Sequence, residues 1–244
     1  MSVSISGATI SGGVAVGDYI PTVNSGIVLS LDAGNPASYP GSGASWYDVS
    51  SSATVATLAN SPAYTAGVSG YFTFNGTNNT ASIPYTTLLD PTPGITLECW
   101  VYPTSITAST YQELFRKENG SARQLFSFQD TGTILSFGTQ TTVSGYHELD
   151  VNISSVNYVN QWVQLVASYT SGSKVLYRNG IQIGSTTSIT GSLVQGDATY
   201  YVGSLGGVAE WFIGRYAVCR MYNYGLNSTQ VDQNFQALRG RYGI

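Results

Sequence analysis

Residues 161–183 read QWVQLVASYTSGSKVLYRNGIQI, and this stretch decides the fold class. Trp162, Leu165 and the Val163–Val166 positions form a strand pattern, and Thr170–Ser173 read as a turn. Val175, Tyr177, Ile181 and Ile183 then alternate across Asn179-Gly180. A type I′ turn needs positive φ at both central residues, so Asn-Gly between alternating apolar positions is a strong hairpin signal. The pattern is all-β with short ladders, and it contains no catalytic motif.

Outward from this hairpin the chain repeats the same grammar. IVLSLD (27–32), FTFNG (72–76), ITLECWVYP (95–103), ELFRKE (113–118), QLFSFQ (124–129), TILSFG (133–138) and YHELDVN (146–152) read as strands. Asn-Gly, Asp-Thr-Gly and Ser-Gly turns punctuate them. TYYVGS (199–204) and the long WFIGRYAVCRMYN (211–223) follow the hairpin. Pro103 is expected to stop its strand because it lacks a ladder donor. The turn-rich segment 34–48 is expected to be plugged onto the body by Trp46 and Tyr47. Short strands at regular spacing predict a sandwich or jelly roll. One helix is predicted. Asn227 caps it, Gln230 completes a capping box, Val231, Phe235 and Leu238 share a face, and Gly240 closes it. It reads as a lid at one end of the core.

Composition narrows the partners. Hydrophobic residues make up 42% of the 244 and charged residues only 9%, against roughly 25% charged in an average soluble domain. Ser, Thr, Asn, Gln and Gly carry the polar surface instead. The nine Lys and Arg are scattered, so there is no basic footprint for nucleic acid and no polybasic segment for a membrane. The apolar runs have strand length, too short for a transmembrane helix. Met1 is not followed by a charged and then apolar leader, so a chain made in a cytoplasm and used without export is expected. Cys99 and Cys219 sit inside apolar strand patterns. Buried thiols are the first reading, a disulfide the second, and a metal site the last, because one His and two Cys make a poor ligand set.

Residues 1–25 differ from the rest. Val3, Ile5, Ile10, Val14 and Val16 are small β-formers separated by Ser and Gly, with no aromatic before Tyr19. The expectation is an extended docking arm over residues 1–25 that adds a strand to an exposed sheet edge, ahead of one domain over 26–244.

From about Gly26 to Ile244 the chain resembles the concanavalin A-like jelly rolls of the laminin-G and pentraxin type. The likeness is strongest to the subset found in virion proteins of tailed bacteriophages and related bacterial surface proteins. The residues that carry it are LDAGNPASYPGSGASWYD (31–48), FTFNGTNNTASI (72–83), ITLECWVYP, QWVQLVASY with LYRNG, and GRYAVCRMYNYGLNSTQVDQNFQALRGRYGI (214–244). It implies two antiparallel sheets packed face to face, with one short C-terminal helix. Two departures weigh against a calcium site. Ser50-Ser51-Ser52-Ala53 replace a Gly/Asn-rich turn, and Tyr216-Ala217 stand where an acidic residue is common. The fold does not fix the function, since it hosts lectins, hydrolases and structural modules.

Candidate sites are sparse. Glycoside hydrolysis needs two carboxylates flanking the scissile bond, and the resemblance implies acids at alternate positions of one strand; Glu148 and Asp150 do alternate on one strand face, but the third acid expected further on is replaced by Asn152 and Ile153. An exposed polar strand face is the simpler reading. His147, the single histidine, has no nucleophile elbow near it. Asp32 and Asp48, with Asn75, Asn78 and Asn79, offer oxygens for calcium, but Asx turns account for them more simply. Glycan binding needs aromatic platforms in loops, and Tyr39, Tyr64, Tyr85, Tyr111 and Trp211 border turns. No catalytic residue, no cofactor and no metal is assigned; calcium is the one alternative.

The leading expectation is a non-enzymatic structural protein of a bacteriophage virion, most readily a capsid decoration protein. Val3, Ile5, Ile10, Val14 and Val16 would dock on the major capsid protein, tail components or copies of the chain itself. A tail-fibre or receptor-binding lectin is the second reading and a glycoside hydrolase the third.

Overall fold

The computed structural model describes residues 20–120 and 122–244; the arm positions Val3, Ile5, Ile10, Val14 and Val16 lie outside them. The strands in chain order are β1 (Ile27–Asp32), β2 (Ser45–Tyr47), β3 (Val55–Ala59), β4 (Ala63–Thr65), β5 (Tyr71–Asn75), β6 (Thr80–Ile83), β7 (Gly94–Ser105) and β8 (Gln112–Asn119). They continue with β9 (Ala122–Gln129), β10 (Ile134–Thr141), β11 (Gly145–Asn152), β12 (Val163–Thr170), β13 (Ser173–Arg178), β14 (Ile181–Thr186), β15 (Tyr200–Val202) and β16 (Ile213–Tyr222), and the helix α1 spans Ser228–Tyr242.

Two eight-stranded antiparallel sheets form. The first runs β14-β13-β12-β7-β16-β5-β4, with β1 also paired to β16. The second runs β11-β10-β9-β8-β15-β6-β3-β2. Strand β16 is long enough to take two partners along one edge. Ile213–Tyr216 pair with β5, and Val218–Tyr222 pair with β1. The inner faces meet in one apolar core. Ile95, Leu97, Cys99 and Val101 of β7 alternate into it, as do Phe126 and Phe128 of β9 and Leu135 and Phe137 of β10. Alternation with period two is what puts one side of each strand in this core.

The hairpin forms as its sequence requires. β13 and β14 flank Asn179 at φ 50° and Gly180 at φ 79°. The capping box also forms: Gln230 N donates to Asn227 Oδ1 at 3.0 Å, and Asn227 N donates to Gln230 Oε1 at 3.1 Å.

Three expectations are corrected. Pro103 does not end its strand: β7 continues to Ser105, and Pro103 faces Gly214 where the β7–β16 register shifts. A residue without an N–H is tolerated at such an irregularity. Gly240 lies inside the helix, whose left-handed C-cap is Gly243. The helix is not an end lid. It lies along the outer face of the first sheet, where Phe235 and Tyr242 stack on Trp100 at centroid distances of 6.0 and 4.8 Å.

Cys99 and Cys219 are register partners on β7 and β16, buried and unbonded. Residues 21–23 are tied to the helix. Gln233 Nε2 donates to Pro21 O at 2.8 Å, and Val23 N donates to Asn234 Oδ1 at 2.8 Å.

Candidate functional site on the uncovered sheet face

The helix covers the outer face of the first sheet; among the described residues no helix covers that of the second. On this uncovered face a cleft of about 320 Å³ crosses β8, β9 and β11. Its wall is built from Glu113, Arg116, Arg123, Gln129 and Glu148, with Tyr111 and Glu210 at the rim.

A local irregularity creates the first half of this wall. In a regular strand, residues three apart point to opposite faces. The register of β8 against β9 shifts between Glu113 and Phe115, a β-bulge of the kind that re-aims side chains. Glu113 and Arg116 therefore share one face, and Arg116 Nη1 donates to Glu113 Oε1 at 3.0 Å. Arg116 also pairs with Glu118. Glu210 arrives on the turn before β16, where its carbonyl accepts the Glu113 amide at 3.0 Å.

Glu113 is 1% exposed, and its Oε2 has no donor. Burial lifts its carboxyl well above the usual carboxylate range, the Arg116 guanidinium pulls it back, and hydrogen bonding with Glu210 raises it again.

The opposite wall is β11. Glu148 Oε2 accepts from Gln129 Nε2 at 3.1 Å and from Ser136 Oγ at 3.0 Å, and its Oε1 accepts from the Tyr146 hydroxyl. Burial first, and then this bond to Glu148, push the Tyr146 hydroxyl far up, so it stays a donor. The Arg123 guanidinium lies 4.3 Å from the Tyr146 ring centroid. Gly138 on β10 makes room for this ring: a Cβ there would stand 2.3 Å from the Tyr146 hydroxyl oxygen. Asp150 accepts from Ser136 at 2.6 Å. Beyond Arg116 a second hollow of about 230 Å³ lies among Glu118, Tyr201, Leu205 and Val208.

The predicted site residues do not converge. Tyr111, 43% exposed, borders the cleft, and Trp211 follows the rim residue Glu210. Tyr39 and Tyr64 stand together elsewhere, edge-on at 4.7 Å, beside a separate hollow of about 390 Å³. Their hydroxyls donate to Gly43 O and Ala33 O, so both rings act as plugs for the 34–48 segment. Tyr85 lies 5.8 Å from the Lys117 amine, away from the cleft residues.

Asp48 accepts from Ser30 N at 2.7 Å and Ser50 N at 2.8 Å, and from the Ser50 and Ser52 hydroxyls. Asp32 is paired with Arg241. The serines that replace the Gly/Asn-rich turn are thus the donors that hold Asp48. Among the described residues no cluster of three or more His, Cys, Asp or Glu has metal-binding geometry, and no helix is long and apolar enough to cross a membrane.

Sequence reasoning reached Glu148 and missed Glu113, Arg116, Arg123 and Glu210. The available signal was scarcity: the chain has five glutamates, Glu98, Glu113, Glu118, Glu148 and Glu210, and all but Glu98 come to this face.

Residues 75–232 match the family model described as concanavalin A-like lectin/glucanases superfamily. The chain belongs to this superfamily. Among solved structures, the superfamily fold recurs in the binding domain of botulinum neurotoxin serotype G, with a TM-score of 0.68 at 11% identity over 86% of this chain and 50% of that one. The binding domain of Paraclostridial Mosquitocidal Protein 1 gives 0.67 at 15% over 87% and 52%. The binding domain of botulinum neurotoxin DC, solved in complex with rat synaptotagmin II, gives 0.68 at 9% over 89% and 52%. The chain therefore spans about half the length of these structures. None of the curated proteins matches it in sequence. The likeness establishes a lectin-like jelly roll.

Proposed function

We propose that the chain is a non-enzymatic recognition domain that binds a glycan, free or carried on a receptor, in the cleft of the second sheet. One observation carries this reading: in a chain with so few charges, charged and hydrogen-bonding side chains gather in a cleft on the sheet face that no helix covers among the described residues, beside the exposed ring of Tyr111. A few convergent polar groups beside an aromatic wall suit a polyhydroxylated ligand. The structural neighbours named for binding and receptor-binding roles support the same class of function. A recognition role is favoured over hydrolysis because both oxygens of Glu148 are occupied by Tyr146, Gln129 and Ser136. A glycan array probed with the full chain tests it. Saturable binding to a defined glycan that Tyr111→Ala weakens at least 10-fold is expected, with no release of reducing ends. Absence of binding to any glycan overturns it, as does turnover of β-glucans abolished by Glu148→Gln.

A second proposal concerns where the domain is carried. We infer that it is an accessory protein of a bacteriophage virion, a capsid decoration or tail component, joined through its N-terminal segment to the major capsid protein, tail proteins or other copies of itself. The low charge of the chain suits a packed assembly, and the bonds from Gln233 and Asn234 to Pro21 and Val23 give that segment a fixed point of departure. Deleting residues 1–19 is expected to leave the body folded and abolish association with particles. Normal association of the truncated protein refutes it.

A further inference from the structure

The acidic half of the cleft carries an inference about the ligand, resting on the recognition reading above. Glu113, Glu148 and Glu210 line the cleft with Arg116 and Arg123, Glu118 pairs with Arg116 beside it, and Asp150 lies two positions from Glu148 on β11, with the Lys174 amine as the third cation nearby. The arginines are already engaged. Arg116 holds Glu113 and Glu118, while Arg123 lies against Tyr146 and 3.7 Å from Glu118. Negative charge is thus in excess. Within this cluster Glu113, which lines the cleft, has a buried Oε2 with no donor. Its neighbour Glu210 is another acceptor. A buried acceptor without a donor is costly, and a ligand that brings a donor removes that cost.

We propose that the Glu113–Glu210 pair is a subsite for a protonated amine, and that the glycan bound in the cleft is built from amino sugars with free amino groups. An ammonium donates three hydrogen bonds and carries one positive charge. It donates to Glu113 Oε2 and to Glu210 together. The Tyr146 hydroxyl and the Gln129 amide, already turned to Glu148, leave Glu148 as a further negative neighbour for the cation.

Calorimetric titration of the full chain with three oligosaccharides of equal length and linkage tests this: glucosamine, N-acetylglucosamine and glucose oligomers. At neutral pH the glucosamine oligomer is expected to bind at least 10-fold more tightly than the other two. Glu113→Gln and Glu210→Gln should each remove that preference; Glu210→Gln, at the rim, serves where Glu113→Gln fails to fold. Equal binding of all three overturns the amine subsite and leaves the recognition reading standing. Preference for the acetylated oligomer overturns it equally. Failure of these and every arrayed glycan to bind overturns both.

Discussion

Asn234 of the helix and Glu98 of β7 meet between helix and sheet, where Asn234 Nδ2 donates to Glu98 Oε2 at 2.8 Å. Both residues are fully buried. The other carboxylate oxygen accepts from Gln164 Nε2 at 2.9 Å and Trp100 Nε1 at 3.2 Å, with Arg220 at 3.8 Å. Asn234 also accepts the Val23 amide and donates to the Tyr222 hydroxyl. One amide side chain thus joins the helix, the first sheet and the N-terminal approach to the domain.

Asn234→Ala should therefore cost about 2–4 kcal/mol, because it strands a buried carboxylate oxygen and a buried amide together. Urea titration measures this. Asn234→Asp should be at least as harmful, since it sets a second carboxylate against Glu98. A cost below 0.5 kcal/mol for the alanine variant would show that water replaces the amide.

Gly180→Ala should destabilise by roughly 1–2 kcal/mol. The residue sits at φ 79°, and a Cβ there would stand 3.0 Å from Asp232 Oδ1 and 3.2 Å from Phe235 Cδ1. The hairpin tip is pressed against the helix, so turn strain and helix docking fail together. Thermal denaturation reads the loss.

Lys174 should contribute stability that grows with pH above neutrality. Burial pushes the Lys174 amine down to about 7, with Glu148 and Asp150 partly opposing. Its Nζ donates to Phe137 O at 3.1 Å and His147 O at 2.8 Å, joining the edges of the two sheets. The unfolded lysine keeps its proton up to about 10.4. Above pH 7 the Lys174 site therefore binds more protons in the unfolded state and adds up to ~1.4 kcal/mol of stability per pH unit, while the raised Glu113 carboxyl, which keeps in the fold a proton that the unfolded chain loses, works in the opposite direction. Lys117, also pushed down by burial, acts in the same direction as Lys174. The buried thiols of Cys99 and Cys219 are pushed up and work against both lysines once unfolded thiols ionise, near pH 8.5. Urea midpoints from pH 6 to 9 test this: the slope of stability against pH should be more positive in the wild type than in Lys174→Met, and equal slopes would refute it.

The two thiols should not react with Ellman's reagent in the native protein, and both should react in denaturant. Their burial and raised ionisation suppress the thiolate. Cross-strand partners have Cα spacings of about 4.5–5.5 Å, within disulfide range, so mass spectrometry of the denatured chain separates slow reactivity from a bridge.

Calcium chloride and EDTA should leave the melting temperature unchanged within about 1 °C. The Asp48 oxygens are held by backbone and serine donors, and Asp32 by Arg241. A calcium-dependent rise of several degrees would reveal a site assembled from other oxygens.

What the sequence determined by itself was whatever obeys local rules. Asn179-Gly180 specified its turn through positive φ, Asn227 and Gln230 specified the helix start, and period-two alternation marked β7 and β9–β13. The short strands β3, β4 and β6 escaped because three to five residues with small or polar side chains carry too little pattern; β3 and β6 are held by each other and β6 by the distant β15, while β4 pairs with β5, the next strand. The site escaped for the same reason. Only the bulge beside Leu114 turns Glu113 and Arg116 to one face, and only the closing of the second sheet brings Glu148 and the Glu210 turn to meet them. Strand register and turn placement are set by pairings between residues far apart in the chain, and these decide which side chains share an environment.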